Sequence, residues 1–96
     1  MTTLHLLRTS GFSSSDLIEC LDTLSKFDDL VLIDDGCYNV NHEAISQAKQ
    51  TLNTPIKFIK LHADARGMTF NSSYMAIEMS DLVDLAFHHD NSVTWQ

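Results

Sequence analysis

The chain has 96 residues, enough for one hydrophobic core and too few for two comfortable ones, so a single domain spanning 1–96 is expected. Hydrophobic residues make up 44% of it and charged ones 20%, with one proline and three glycines, which argues against a disordered or repetitive chain. Thirteen acidic residues against six scattered basic ones leave a formal net charge of -7, and without a basic patch direct binding to a nucleic-acid backbone is excluded.

Met1 to Arg8 carries neither a basic leader segment nor a long apolar run, so no signal peptide or membrane span is expected and the cytoplasm is the default location. Thr3 to Leu7, broken only by His5, predicts a first strand that ends in the loop Arg8-Thr9-Ser10-Gly11. A first helix is expected from Ser14 to Lys26: Ser13, Ser14 and Ser15 are all possible N-caps, Ser13 and Asp16 resemble a capping box, and Leu17, Leu21 and Leu24 repeat at helical spacing. Cys20 falls on or beside that apolar stripe. Leu30-Val31-Leu32-Ile33, bounded by Asp28-Asp29 and by Asp34-Asp35-Gly36, reads as a strand buried on both faces, the middle of a parallel sheet.

Tyr38 to Asn41 is expected to be a connection, with Asn41 capping a second helix from Glu43 to Leu52 that Asn53-Thr54-Pro55 ends. Ile56 to Leu61 reads as a third strand, His62 to Gly67 as one helical turn closed by the glycine, and Met68 to Ser73 as loop. Tyr74 to Met79 is the fourth strand. Ser80 or Asp81 then caps a helix whose Leu82, Val83, Leu85, Ala86 and Phe87 are mostly residue types that bury, and Ser92 to Trp95 is a final short strand. Five strands alternating with three or four helices predict a three-layer α/β/α sandwich around a mainly parallel sheet.

The usual dinucleotide, phosphate-loop, zinc-protease and esterase motifs are missing from the sequence, so neither cofactor nor metal is indicated. Cys20 and Cys37 form no CxxC pair and have no zinc-type spacing to a histidine, so a disulfide framework is not expected. Cys37 leaves the central strand behind Asp34 and Asp35, whose charges disfavour a thiolate, and a packing role follows for it. Helix-interior Cys20 is expected to be an inert core residue. Asp34-Asp35 reads as a solvated turn, His88-His89 as the closing turn of the last helix, and His5 as a hydrogen-bonded core or interface histidine. Met68, Met75 and Met79 suggest adaptable packing in the core or at a subunit contact.

Several segments, in this order and spacing, resemble the TusB/DsrH family. They are Leu4-His5, Ser10-Gly11-Phe12, Leu32-Ile33-Asp34-Asp35-Gly36, Pro55-Ile56-Lys57, Ala65-Arg66-Gly67-Met68, and Ser80-Asp81-Leu82-Val83 through His89 to Trp95. The resemblance implies a small α/β subunit of DsrEFH-like fold in a cytoplasmic sulfur-relay complex. Its partners would be TusC-like and TusD-like subunits, in a heterohexamer, relaying persulfide sulfur from TusA-like to TusE-like proteins for 2-thiolation of the tRNA wobble uridine. In that family the principal sulfur-carrying cysteine lies on the TusD partner, which implies a subunit that is not catalytic alone. Cys20 occupies a position where DsrH members of the sulfur-oxidation branch carry a cysteine, so the resemblance marks it as the sulfur-handling candidate of the alternative, a DsrEFH complex.

Overall fold

The computed structural model describes residues 2–96. Its elements follow one another as β1 (Thr3–Leu7), α1 (Asp16–Thr23), β2 (Asp29–Leu32), a 3-10 helix (Asp34–Asn41), α2 (Ile45–Thr51), β3 (Lys57–Ile59), α3 (Lys60–Ala65), β4 (Met75–Ile77), α4 (Met79–His88) and β5 (Asn91–Trp95). The strands form one sheet in the order β4-β3-β2-β1-β5, and every pair in it is parallel. Parallel neighbours require crossover connections, which the intervening helices supply. The expected α/β sandwich is thus the observed fold, with β2 in the middle as its unbroken aliphatic run predicts.

Strand alternation sorts the side chains into two cores. Leu7, Leu30, Leu32 and Phe58 face one side, where Leu17, Cys20 and Leu21 of α1, Ile45 and Ala48 of α2, Ala63 of α3 and Cys37 of the 3-10 helix cover them. Leu4, Val31, Ile33, Ile59 and Ile77 face the other side, where Leu82 of α4 is the buried helical residue that meets them. Because β2 lies between both cores, Leu30, Val31 and Leu32 are each 0% exposed. The loop before β4 is held by ring packing, with Phe58 and Phe70 stacked at 3.8 Å and Tyr74 edge-on to Phe70 at 5.1 Å.

Several local expectations are corrected. Helix α1 runs from Asp16 to Thr23 with Ser15 at its N-cap, and the Asp16 carboxylate accepts the Thr9 hydroxyl at 2.7 Å instead of closing a box with Ser13. Asn41 does not cap α2: it ends the 3-10 helix, and His42 Nδ1 accepts the Ala44 amide ahead of Ile45. The predicted connection at Tyr38 to Asn41 is therefore helical. Strand β3 is shorter than the span Ile56 to Leu61, since Lys60 and Leu61 already belong to α3. Glu78, not Ser80 or Asp81, caps α4, with Asp81 returning the bond to the Glu78 amide as a capping box and Met79 drawn from the predicted strand into the helix.

Two glycines meet backbone demands. Gly67 follows α3 at φ +64, the left-handed region that closes helices. Gly36 lies against β1 so closely that a Cβ there would stand 1.9 Å from the Leu7 carbonyl oxygen. Any side chain at this position collides with the sheet.

Candidate functional site

The chemistry-bearing residues gather in four places, and burial decides what each can do. Cys20 projects from α1 into the core with 0% exposure, and its thiol is pushed up to about 12 by burial first and then by the charges of Asp28 and Asp16. Cys37, on the 3-10 helix, is equally buried, with its Sγ 3.7 Å from the Leu32 carbonyl oxygen that accepts its proton. Burial pushes that thiol up to about 11; Arg66 works in the opposite direction, and Asp34 and Asp35 add to the rise. Burial, and not the two carboxylates expected from the sequence, is thus the main cause. Both thiols are protonated at neutral pH and shielded from solvent, whereas sulfur transfer requires an accessible thiolate.

At the carboxyl ends of the strands lies a polar cleft of about 430 Å³ lined by Arg8, Thr9, Asp34, Asp35, Arg66 and Gln96. It sits beside the switch in strand order, where the chain runs outward from β1 and returns to β5 on the other side. Its charges are paired internally: Arg8 Nε donates to Asp34 at 3.0 Å, Arg8 Nη1 to Gln96 at 2.8 Å, and Arg66 Nε to Asp35 at 3.0 Å. Asp34 takes a positive φ of 48, and its amide donates to His62 Nδ1 at 3.0 Å. The acidic turn is solvated as expected, with the Asp34 and Asp35 side chains 37% and 63% exposed, and it also carries arginine pairs that link β1, the end of β2 and the residue closing α3. No group of three or more His, Cys, Asp or Glu side chains with metal-binding geometry occurs among the described residues.

At the opposite, amino end of the sheet two His–Asp pairs are buried on its two faces. His5 Nε2 lies 3.0 Å from Asp28 Oδ2, and Trp95 Nε1 donates to His5 Nδ1 at 3.2 Å. This is the hydrogen-bonded core histidine that the apolar context of His5 predicted. On the other face Asp29 accepts Lys57 Nζ at 2.5 Å, Thr54 Oγ1 at 2.8 Å and His89 Nε2 at 2.7 Å. Burial raises the pKa of Asp29, but those hydrogen bonds and the Lys57 charge outweigh it and hold the carboxyl below its usual range. The sequence reading missed this network. Its signal was a lysine inside an apolar strand, Ile56-Lys57-Phe58-Ile59, because a charge in such a run needs a buried partner. Of the His88-His89 pair, His88 closes the helix by donating from Nδ1 to the Asp84 carbonyl at 2.7 Å, whereas His89 belongs to the Asp29 network.

The fourth place is α4. Of its apolar residues only Leu82 is buried, while Met79, Val83 and Phe87 are 51%, 54% and 85% exposed. The sequence expectation that Val83 and Phe87 bury is overturned. At 100° per residue the apolar positions of α4 cover an arc of about 200°, wider than the side that one helix can turn to its own sheet. Met79, Val83 and Phe87, four residues apart, form an outward stripe, and exposed Leu61 and Met75 lie on the same side of the sheet. A contiguous apolar stripe of this kind marks an interaction surface. The two adjoining grooves are of mixed charge, lined by Asp64, Glu78, Asp81 and Asp84 together with Lys57 and Lys60.

Comparison with known proteins bears on this arrangement. The family model described as "DsrH like protein" matches residues 9–92, spanning the first loop to the start of β5. The chain belongs to the DsrH-like family. This is the TusB/DsrH family to which its segments were likened, and membership makes the chain a subunit of the sulfur-relay type. Among solved structures the YchN protein from E. coli is similar, with a TM-score of 0.75 at 16% identity over 98% of this chain and 99% of that one. That likeness is one of fold. Comparison with curated protein sequences gives no match. Among the described residues of this DsrH-like chain no helix is long and apolar enough to cross a membrane.

Proposed function

We propose that this chain is a structural and interaction subunit, not catalytic alone, of a cytoplasmic TusBCD-type sulfurtransferase complex. Assembled with TusC-like and TusD-like subunits, it serves the relay of persulfide sulfur toward 2-thiolation of the tRNA wobble uridine. The observation that carries this reading is the exposed stripe of α4, Met79, Val83 and Phe87, in a chain whose two cysteines are both buried. A sheet face covered by one helix, itself apolar on its outer side, is what a subunit leaves for a partner to complete. The net charge of -7 agrees with a role in which the tRNA is reached only through other proteins.

The test is co-expression with TusC-like and TusD-like proteins and purification through a tag on one of them. Recovery of the three together supports the reading; a free monomer with no affinity for either overturns it. Mass spectrometry after incubation with a persulfide donor decides the alternative, a DsrH-like subunit in which Cys20 handles sulfur. An added sulfur atom on native Cys20 would replace the non-catalytic reading with that one.

A further inference from the structure

The imidazole of His5 is buried between two groups of fixed polarity. The Trp95 indole N–H can only donate, so His5 Nδ1 must be the unprotonated acceptor of that 3.2 Å bond. The proton of the neutral ring then sits on Nε2 and is donated to Asp28 Oδ2 at 3.0 Å. Asp28 is itself pinned, accepting the Thr3 amide at 2.9 Å and the Ser25 amide at 3.0 Å. Although burial raises its pKa, the bonds from Ser25, Thr3 and His5 lower it further, and Asp28 stays ionised while histidines titrate.

We infer that His5 and Trp95 form a proton-sensitive latch on the edge strand β5. A second proton on His5 must go to Nδ1, where it opposes the indole N–H as donor against donor. The imidazolium remains, held by ionised Asp28, and the indole gives way. Trp95 is the one residue of β5 that is not exposed, so the strand then loses the side-chain hydrogen bond of Trp95 and keeps its backbone ladder to β1, its amino-end anchor and the packing of the indole on the core. The other groups around the pair leave this outcome unchanged. From α1, Cys20 is near enough to feel Asp28 and Asp16 but stays a neutral thiol, and the Asp16 carboxylate is engaged by Thr9. Arg8, whose amide binds the Trp95 carbonyl, turns its guanidinium to Asp34 and Gln96; β2 places Leu30 opposite His5, and β5 carries no charged residue.

His89 supplies an internal contrast. Its Nε2 faces Asp29 at 2.7 Å, but its Nδ1 faces the Thr2 hydroxyl at 2.9 Å, which can reverse from donor to acceptor by rotating. Protonation of His89 therefore breaks nothing. The two His–Asp pairs, one on each face, differ in response because one histidine is opposed by an indole and the other by a hydroxyl.

Trp95 is the single tryptophan, so its fluorescence reports the latch directly. The full chain is titrated from about pH 8 to about pH 5, the range in which histidines charge, with circular dichroism monitoring the fold and amide exchange giving protection factors for β5. The expected result is an emission change accompanied by a loss of β5 protection of about fivefold, the worth of one ordinary hydrogen bond. His89→Gln should retain the transition. His5→Gln, whose amide oxygen accepts the indole N–H without titrating, should abolish it; and in Trp95→Phe the protection of β5 should no longer depend on pH. A flat wild-type titration with the fold intact, a transition that survives His5→Gln, or pH-dependent β5 protection that persists in Trp95→Phe would each overturn the latch.

Discussion

Replacing Gly36 by alanine should be among the most damaging single-methyl additions this chain can suffer. The new Cβ would stand 1.9 Å from the Leu7 carbonyl oxygen and 2.8 Å from the carbonyl carbon, both backbone atoms of an interior strand. Restoring the 3.0 Å below which Cβ contacts are essentially not seen requires a displacement of 3.0 − 1.9 = 1.1 Å. No flexible side chain is available to absorb it. The same Leu7 oxygen accepts the Ile33 amide at 3.0 Å, so moving it also strains the junction between β1 and the end of β2. Overpacking of this kind costs about 1–3 kcal/mol, and leaving a buried amide unsatisfied costs about 1–3 kcal/mol more. The expected loss is therefore about 2–6 kcal/mol, a large part of a typical domain stability of about 5–15 kcal/mol. Urea unfolding followed by circular dichroism measures it, and the melting temperature should fall by at least about 8 °C. Gly67→Ala is the control, since nothing lies within 4 Å of its would-be Cβ and only the left-handed φ is penalised, at about 1–2 kcal/mol. If Gly36→Ala loses less than about 1 kcal/mol, or less than Gly67→Ala, the close approach to β1 is not the reason for glycine here.

Both thiols should resist Ellman's reagent at pH 8 in the folded chain and react within the mixing time once it is unfolded, because burial holds Cys20 at about 12 and Cys37 at about 11; rapid reaction of either in the native state would contradict the packing. Stability should fall on acidification below the ordinary aspartate range of about 3.9. Asp28 and Asp29 have folded pKa values below their unfolded ones, so their contribution is present above the unfolded value and lost as pH drops through the folded value. Asp29→Asn should flatten that dependence in urea titrations, and an unchanged slope would refute the assignment. Val83→Ser and Phe87→Ser, at positions 54% and 85% exposed, should change the stability of the isolated chain by no more than about 0.5 kcal/mol while weakening capture by partner subunits at least tenfold. A large loss of stability with unaltered capture would return α4 to an ordinary core role.

The sequence made the site only partly legible, for identifiable reasons. The burial of Cys20 followed from its place on the Leu17–Leu21 stripe, and the core position of His5 from its apolar strand. The Asp29–Lys57–His89 network did not follow, because it joins residues up to 60 positions apart whose meeting depends on β3 packing beside β2 and on where α4 ends. The capping box of α1 and the cap of α4 were misplaced for a similar reason, although Ser15, one of the three serines offered, is the α1 N-cap. Thr9 competes for Asp16 from the preceding loop, and Glu78 is drawn into a capping box that the apolar run Met75–Met79 conceals.

By itself the sequence determined the order of strands and helices, the buried middle strand and the parallel character of the sheet. These follow from local periodicity and from aliphatic runs that must hide both faces. Only the tertiary structure decided which apolar residues stay outside. Helical spacing identifies the apolar arc of α4 but not how much of that arc the sheet covers; that depends on four helical segments packing one face and a single helix the other. The sheet occupies Leu82 and leaves Met79, Val83 and Phe87 to solvent, so the functional surface arises from an imbalance between layers that no single segment encodes.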